Sequence, residues 1–239
     1  MPPQDMPRLV EEALRDLAPY DAQGAVAAHI TESLPALKRQ ARLRSRGPVN
    51  RAELSLVVSG GAEARAAAAA AYGKALFGFD LTDGRDEGTE MIVKSAKWRD
   101  IIADPAGNPL PFGKALDRLY AEKMDAEGGV LIIDSIYDLP PNTTNATAVD
   151  QARNGAYQML HDLMTEYAEK NYTPVVVLTG DADRLEDFLK KTPSVSQYFT
   201  AGVMRVESPP APPPPPVSVE TAAAVTVHRP LKLRKSPGF

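Results

Sequence analysis

Residues 54–76 read LSLVVSGGAEARAAAAAAYGKAL. The apolar run Leu54–Val58 has the length of a buried strand, and it meets Gly60 and Gly61. The segment Ala62–Phe77 that follows is mostly alanine, the strongest helix former. A strand, a glycine turn and a helix N-terminus together form the usual setting for a phosphate cradle. Such a cradle also requires a lysine to neutralise charge and a serine or threonine hydroxyl for Mg²⁺. The residues at those places here are alanines.

Outward from this stretch the pattern repeats. Apolar runs of strand length occur at 91–93, 130–133, 174–178 and 203–206. Helical periodicity fills the intervals at 112–124, 146–170 and 183–190, and precedes the first strand at 8–18 and 24–43, where Pro35 marks a kink or break. The segments Asp80–Glu90, Ala103–Pro111 and Asp138–Asn145 are polar loops. Buried strands alternating with helices predict an α/β domain, with five parallel strands between helix layers. Ligand sites of such sheets lie at the carboxyl ends of the strands, here Ser59–Gly61, Asp134–Ser135 and Thr179–Asp181.

The domain plan is N-terminal helices over 1–50 packed on an α/β domain at 51–207, then a proline-rich tail at 208–239. The five prolines 212–216 exclude helix and central strand and favour an extended, disordered spacer. The net charge of −4 is uneven. From Ser208 onward one acid and four bases give +3, whereas the remaining 30 acids and 23 bases give −7. An acidic body argues against nucleic acid as a partner. The absence of cysteine excludes disulfides and thiolate chemistry, and the three histidines have no metal-ligand spacing. No apolar run is long enough to span a bilayer, so a cytoplasmic protein without a transmembrane segment is expected.

Four segments carry a resemblance. GGVLIIDSIYDL (128–139) resembles the Walker B strand of AAA+ ATPases of the CbxX/CfqX branch, which includes red-type rubisco activases and SpoVK-like proteins. PVVVLTGDADRLEDFL (174–189) is similar to the family's sensor-1 stretch, and TPSVSQYF (192–199) to its arginine-finger segment. LVVSGG stands where the family has its phosphate loop. The resemblance covers residues 10–207 and implies the strand order 5-1-4-3-2.

It also implies where the chemistry has gone. With Gly60 as the first cradle glycine and Gly61 beside it, Glu63 and Arg65 replace later glycines, Ala66 replaces the lysine and Ala67 the threonine. Asp134 keeps the Walker B aspartate, but Ser135 stands for the glutamate that activates water and Tyr198 for the arginine finger. Thr179 and Asp181 both suit the sensor-1 position. The helical lid that follows the last strand in the family is replaced by the tail, and its pore loop, near Ile101–Gly107, has no aromatic residue. Trp98 and Phe112 nearby are read as core or edge packing.

The expectation is a catalytically inactive AAA+-like pseudo-ATPase without cofactor or metal, acting as a protein-binding adaptor, regulatory or structural subunit. An active AAA+ subunit or another copy of itself would be its partner. The alternative is an unconventional nucleotide-binding protein or weak ATPase or chaperone using Asp134 and backbone amides. The tail is the expected docking element. Val225, Val227, Leu231 and Leu233 alternate with polar or basic residues through Arg229, Lys232, Arg234 and Lys235 to Phe239. Asp134, Asp138, Asp181 and Asp183 gather at one sheet end but lack a second metal motif. Tyr157, Leu160, Leu163, Met164 and Tyr167 form a core stripe with His161 at its edge.

Overall fold

A computed structural model describes residues 5–43, 51–82, 84–85, 90–142, 146–167 and 174–208. The tail residues of the sequence reading, Val225 to Phe239, lie outside the described residues. Residues up to Pro209 form one compact unit, two residues beyond the domain boundary expected at 207.

Strands β1 (Leu56–Ser59), β4 (Val93–Lys97), β5 (Val130–Asp134), β6 (Val175–Gly180) and β7 (Val203–Arg205) form one sheet, ordered β4-β5-β6-β1-β7. All four pairings are parallel. In chain order of the five strands this is the expected 5-1-4-3-2, with 175–180 between 56–59 and 130–134. Strand order establishes architecture and does not by itself assign a family.

Alternation along each strand sends side chains to two separate cores. Leu56, Val58, Val130, Ile132, Val175 and Val177 face one helix layer, built from α1 (Asp5–Leu17), α2 (Ala25–Ala28), α3 (Leu34–Leu43) and α4 (Ala62–Gly78). Val57, Leu131, Ile133, Val176 and Leu178 face the other. That layer contains α5 (Trp98–Ile102), α6 (Phe112–Asp125), α7 (Ala146–Tyr167), α8 (Ala182–Lys191) and α9 (Pro193–Ser196). Because both faces are covered, the central strands read as unbroken apolar runs.

The alanines of α4 have a packing role. Ala64, Ala68, Ala69, Ala71 and Ala75 are buried, and their small side chains let α1 lie close, with Ala13 and Leu17 fully buried. The N-terminal helices therefore share one core with the sheet. Tyr72 is buried in α4 and donates to the Leu54 carbonyl at 2.8 Å, leaving its oxygen toward His29 Nε2 at 3.3 Å. Burial pushes the His29 pKa down.

A neutral imidazole in the folded state against an ordinary value near 6.5 in the unfolded chain fixes the sign: stability is full above about pH 6.5 and falls as pH drops through the folded value. Urea unfolding at about pH 7.5 and about pH 5 should therefore show a smaller difference in His29→Gln than in the parent. An equal difference would mean that His29 does not titrate on unfolding.

Several boundaries differ from expectation. Pro35 does not break the second helix. A wider π turn at His29–Ser33 precedes it, and the backbone stays helical at both junctions. Proline has no N–H for the Thr31 carbonyl, and the wider turn accommodates its ring. The second sheet strand is Val93–Lys97 rather than 91–93, while Glu90–Met91 (β3) pairs antiparallel with Gly84–Arg85 (β2) inside the expected loop. An edge strand tolerates Lys94, Ser95 and Lys97, so it carried no apolar signal. Trp98 is fully buried in the core, and Phe112 is 48% exposed at its edge, with its ring beside Gly155 of α7. In the core stripe, Leu160, Leu163 and Met164 are buried and Tyr157 meets Phe188 edge-on. Tyr167 ends α7, and its side chain lies outside the described residues.

Candidate functional site

The carboxyl ends of β1, β5 and β6 meet as expected, but the turn after β1 is short. Ser59 ends the strand and Ala62 begins α4, so only Gly60 and Gly61 join them. A phosphate cradle needs a longer loop, whose lysine and hydroxyl residue open the helix. Ala66 and Ala67 instead lie in the second turn of α4, Ala66 exposed and Ala67 half-buried. Residues once laid against the cradle by spacing thus sit inside a helix.

Gly60 has φ +150°, and a Cβ there would lie 2.1 Å from the Val206 carbonyl oxygen. Its N–H donates to the Gly180 carbonyl at 3.3 Å. The segment after β7 crosses this turn. Val206 N–H donates to the Ser59 carbonyl at 2.8 Å, and Glu207 N–H to the Tyr20 carbonyl at 2.8 Å. The Tyr20 hydroxyl in turn donates to Glu63, in the first turn of α4, at 3.1 Å. This hydrogen bond and the neighbouring carboxylate raise the Tyr20 pKa.

Beneath the turn lies a cluster that the sequence reading missed. Arg65 Nε donates to Asp134 Oδ1 at 2.9 Å and a terminal guanidinium nitrogen to Oδ2 at 3.2 Å, a bidentate pair. The other terminal nitrogen donates to the Gly60 carbonyl at 3.0 Å. Asp134 also accepts from Thr179 Oγ1 at 2.8 Å and from Ser135 Oγ at 3.3 Å. The Arg65 and Asp134 side chains are 19% and 21% exposed. Ser135 has φ +57°, held by its N–H to the Thr179 carbonyl at 2.8 Å.

Of the two sensor-1 candidates, Thr179 touches Asp134. Asp181 instead caps α8, accepting from Arg184 N–H at 3.1 Å. Tyr198 takes no part in the cluster. Its hydroxyl lies 3.2 Å from Thr165 on α7. The remaining aspartates have separate partners. Asp138 pairs with Arg184 at 3.2 Å, and that guanidinium also stacks 3.9 Å from the Tyr137 ring centre. Asp183 lies 3.9 Å from Arg205. Among the described residues no three acidic or histidine side chains form a metal-binding group. The 101–107 segment is buried at Ile101 and Ile102, then closes as a turn in which Asp104 accepts from Asn108. Those bonds hold the Asp104 carboxyl below its ordinary range.

One sequence signal pointed to Arg65: it is the single cation between Val58 and Gly73, in a stretch made mostly of alanine. The strand order brings Asp134 and Thr179 to the same sheet end, but which carboxylate the guanidinium reaches depends on the packing of α4 against those strand ends. No protein-family model matches the chain, and no curated protein matches it.

Proposed function

We propose that this domain is a pseudo-ATPase of AAA+-like architecture that works by binding protein and does not hydrolyse nucleotide. The observation that carries the reading is the Arg65–Asp134 pair. In a nucleotide site of this architecture the aspartate attends a hydrated Mg²⁺ and a cation attends the phosphates. Here the aspartate spends its lone pairs on Arg65, Thr179 and Ser135, so the positive charge comes from its own chain. The two-residue turn and Glu63 beside it add to this, since a carboxylate at that helix start repels phosphate.

Protein binding is supported by exposed apolar surface. Phe112, Tyr120 and Met124 lie along α6 at helical spacing, and Met124 is 61% exposed. Among the described residues no helix is long and apolar enough to cross a membrane.

Calorimetry of the full chain with ATP and Mg²⁺ is expected to show no binding tighter than about 1 mM, and phosphate release no turnover above background. Micromolar affinity would overturn the reading and establish the alternative, an unconventional nucleotide binder. The variant Ala66→Lys/Ala67→Thr is expected to stay inactive, because both positions lie a helical turn beyond the start of α4. ATP turnover by that variant would mean that the turn rearranges to form a cradle.

A further inference from the structure

The two edges of the sheet differ. β7 pairs with β1 on one side, and among the described residues no strand pairs with its other side. Ser59 Oγ lies 3.3 Å from the Met204 carbonyl, and Val206 N–H donates to the Ser59 carbonyl. Backbone groups alternate in direction along a strand. Met204 and Val206 therefore face β1, and Val203 and Arg205 turn their N–H and C=O groups outward.

Beside this edge a groove of about 730 Å³ is bordered by Ala28, Leu37 and Met204, with Glu32 and Glu53 at its rim. On the opposite face of the sheet the edge is flanked by α8, where Asp183 is 93% exposed and Glu186 contacts Arg205 at 2.9 Å. A strand added along β7 would place alternate side chains over the groove, against Leu37 and Met204, and beside the acidic face of α8. The β4 edge instead carries Lys94 and Lys97.

One segment of this sequence has the matching period. Leu231 and Leu233 fall on one face of an extended strand, and Lys232 and Arg234 on the other. The segment belongs to the +3 tail, and the remainder of the chain carries −7. Residues 208–216, with seven prolines, favour an extended spacer of about 28 Å at ~3.1 Å per residue. The tail departs three residues after β7, and a stiff spacer of that length disfavours its return to the same edge.

We infer that the β7 edge and its groove receive the Leu231–Lys235 segment of a second copy of this chain as an added strand. The inference rests on the protein-binding reading but not on the state of the Gly60 turn. Sedimentation velocity tests it. The full chain is expected to associate as concentration rises. A chain ending at Ser208 is expected to stay monomeric yet folded, since both cores lie within residues 13–206.

Asp183→Lys on the body and Lys232→Glu/Arg234→Glu on the tail should each weaken association about tenfold. An equimolar mixture of the two variants should recover it, because one reversed tail then meets one reversed edge. A labelled peptide of residues 223–239 should also bind the 1–208 chain.

A full chain that stays monomeric, association that survives truncation, or a peptide that does not bind would overturn the inference. So would concentration-independent amide protection at Val203 and Arg205 that truncation removes, since that means docking within one chain. Micromolar ATP binding would overturn the pseudo-ATPase reading and leave these results standing.

Discussion

Arg65→Ala is expected to destabilise the domain by about 2–4 kcal/mol. The substitution leaves the Asp134 carboxylate four-fifths buried without its bidentate partner. Thr179 and Ser135 still donate to it, but two neutral hydroxyls do not replace a guanidinium. Removing one member of a fully buried pair costs roughly 3–5 kcal/mol, and the one-fifth exposure here sets the value toward the lower end. At this chain length that corresponds to a fall in Tm of about 5–15 °C. The double variant Arg65→Met/Asp134→Leu should regain most of the loss, because it removes the buried charge together with its partner. Denaturant unfolding of the parent and the two variants decides it. If Arg65→Ala unfolds with the parent, the pair does not hold the turn, and the argument for a self-occupied site loses its main support.

Gly60→Ala is expected to cost about 3 kcal/mol or more. Its added Cβ would meet a backbone oxygen at 2.1 Å, and the φ of +150° suits glycine alone. Backbone atoms have no rotamer with which to give way, so the strap at 206–208 must lift from the turn. The expected signature is faster hydrogen exchange at the Val206 and Glu207 amides, which donate to Ser59 and Tyr20. Gly61→Ala is the control. Its Cβ lies 3.1 Å from the Ser208 hydroxyl, a side-chain tip able to rotate away, and its φ of −60° is ordinary. Equal stability of the two variants would show that the crossing segment is loosely held.

Much of the fold was legible in the residues. Valine and isoleucine runs bounded by glycine or aspartate mark β1, β5 and β6 because strands covered on both faces must be apolar throughout. The edge strand Val93–Lys97 was displaced in the sequence reading, since half of it faces solvent and carries lysine. Burial tendency places Phe112 in the core or at its edge, and its ring lies beside Gly155 of α7 while staying half exposed.

By itself, then, the sequence determined the alternation of strands and helices, the proline-rich boundary near 208 and the absence of a lysine and a hydroxyl residue at the start of α4. These are local properties: propensity, periodicity and the identity of residues at one spacing. Only the tertiary structure decided that Val206 crosses the β1–α4 turn and that Arg65 reaches Asp134 69 positions away. The physical reason is that the pair depends on where three separate strands end. Nothing in the chemistry of an arginine among alanines says which carboxylate will share its burial.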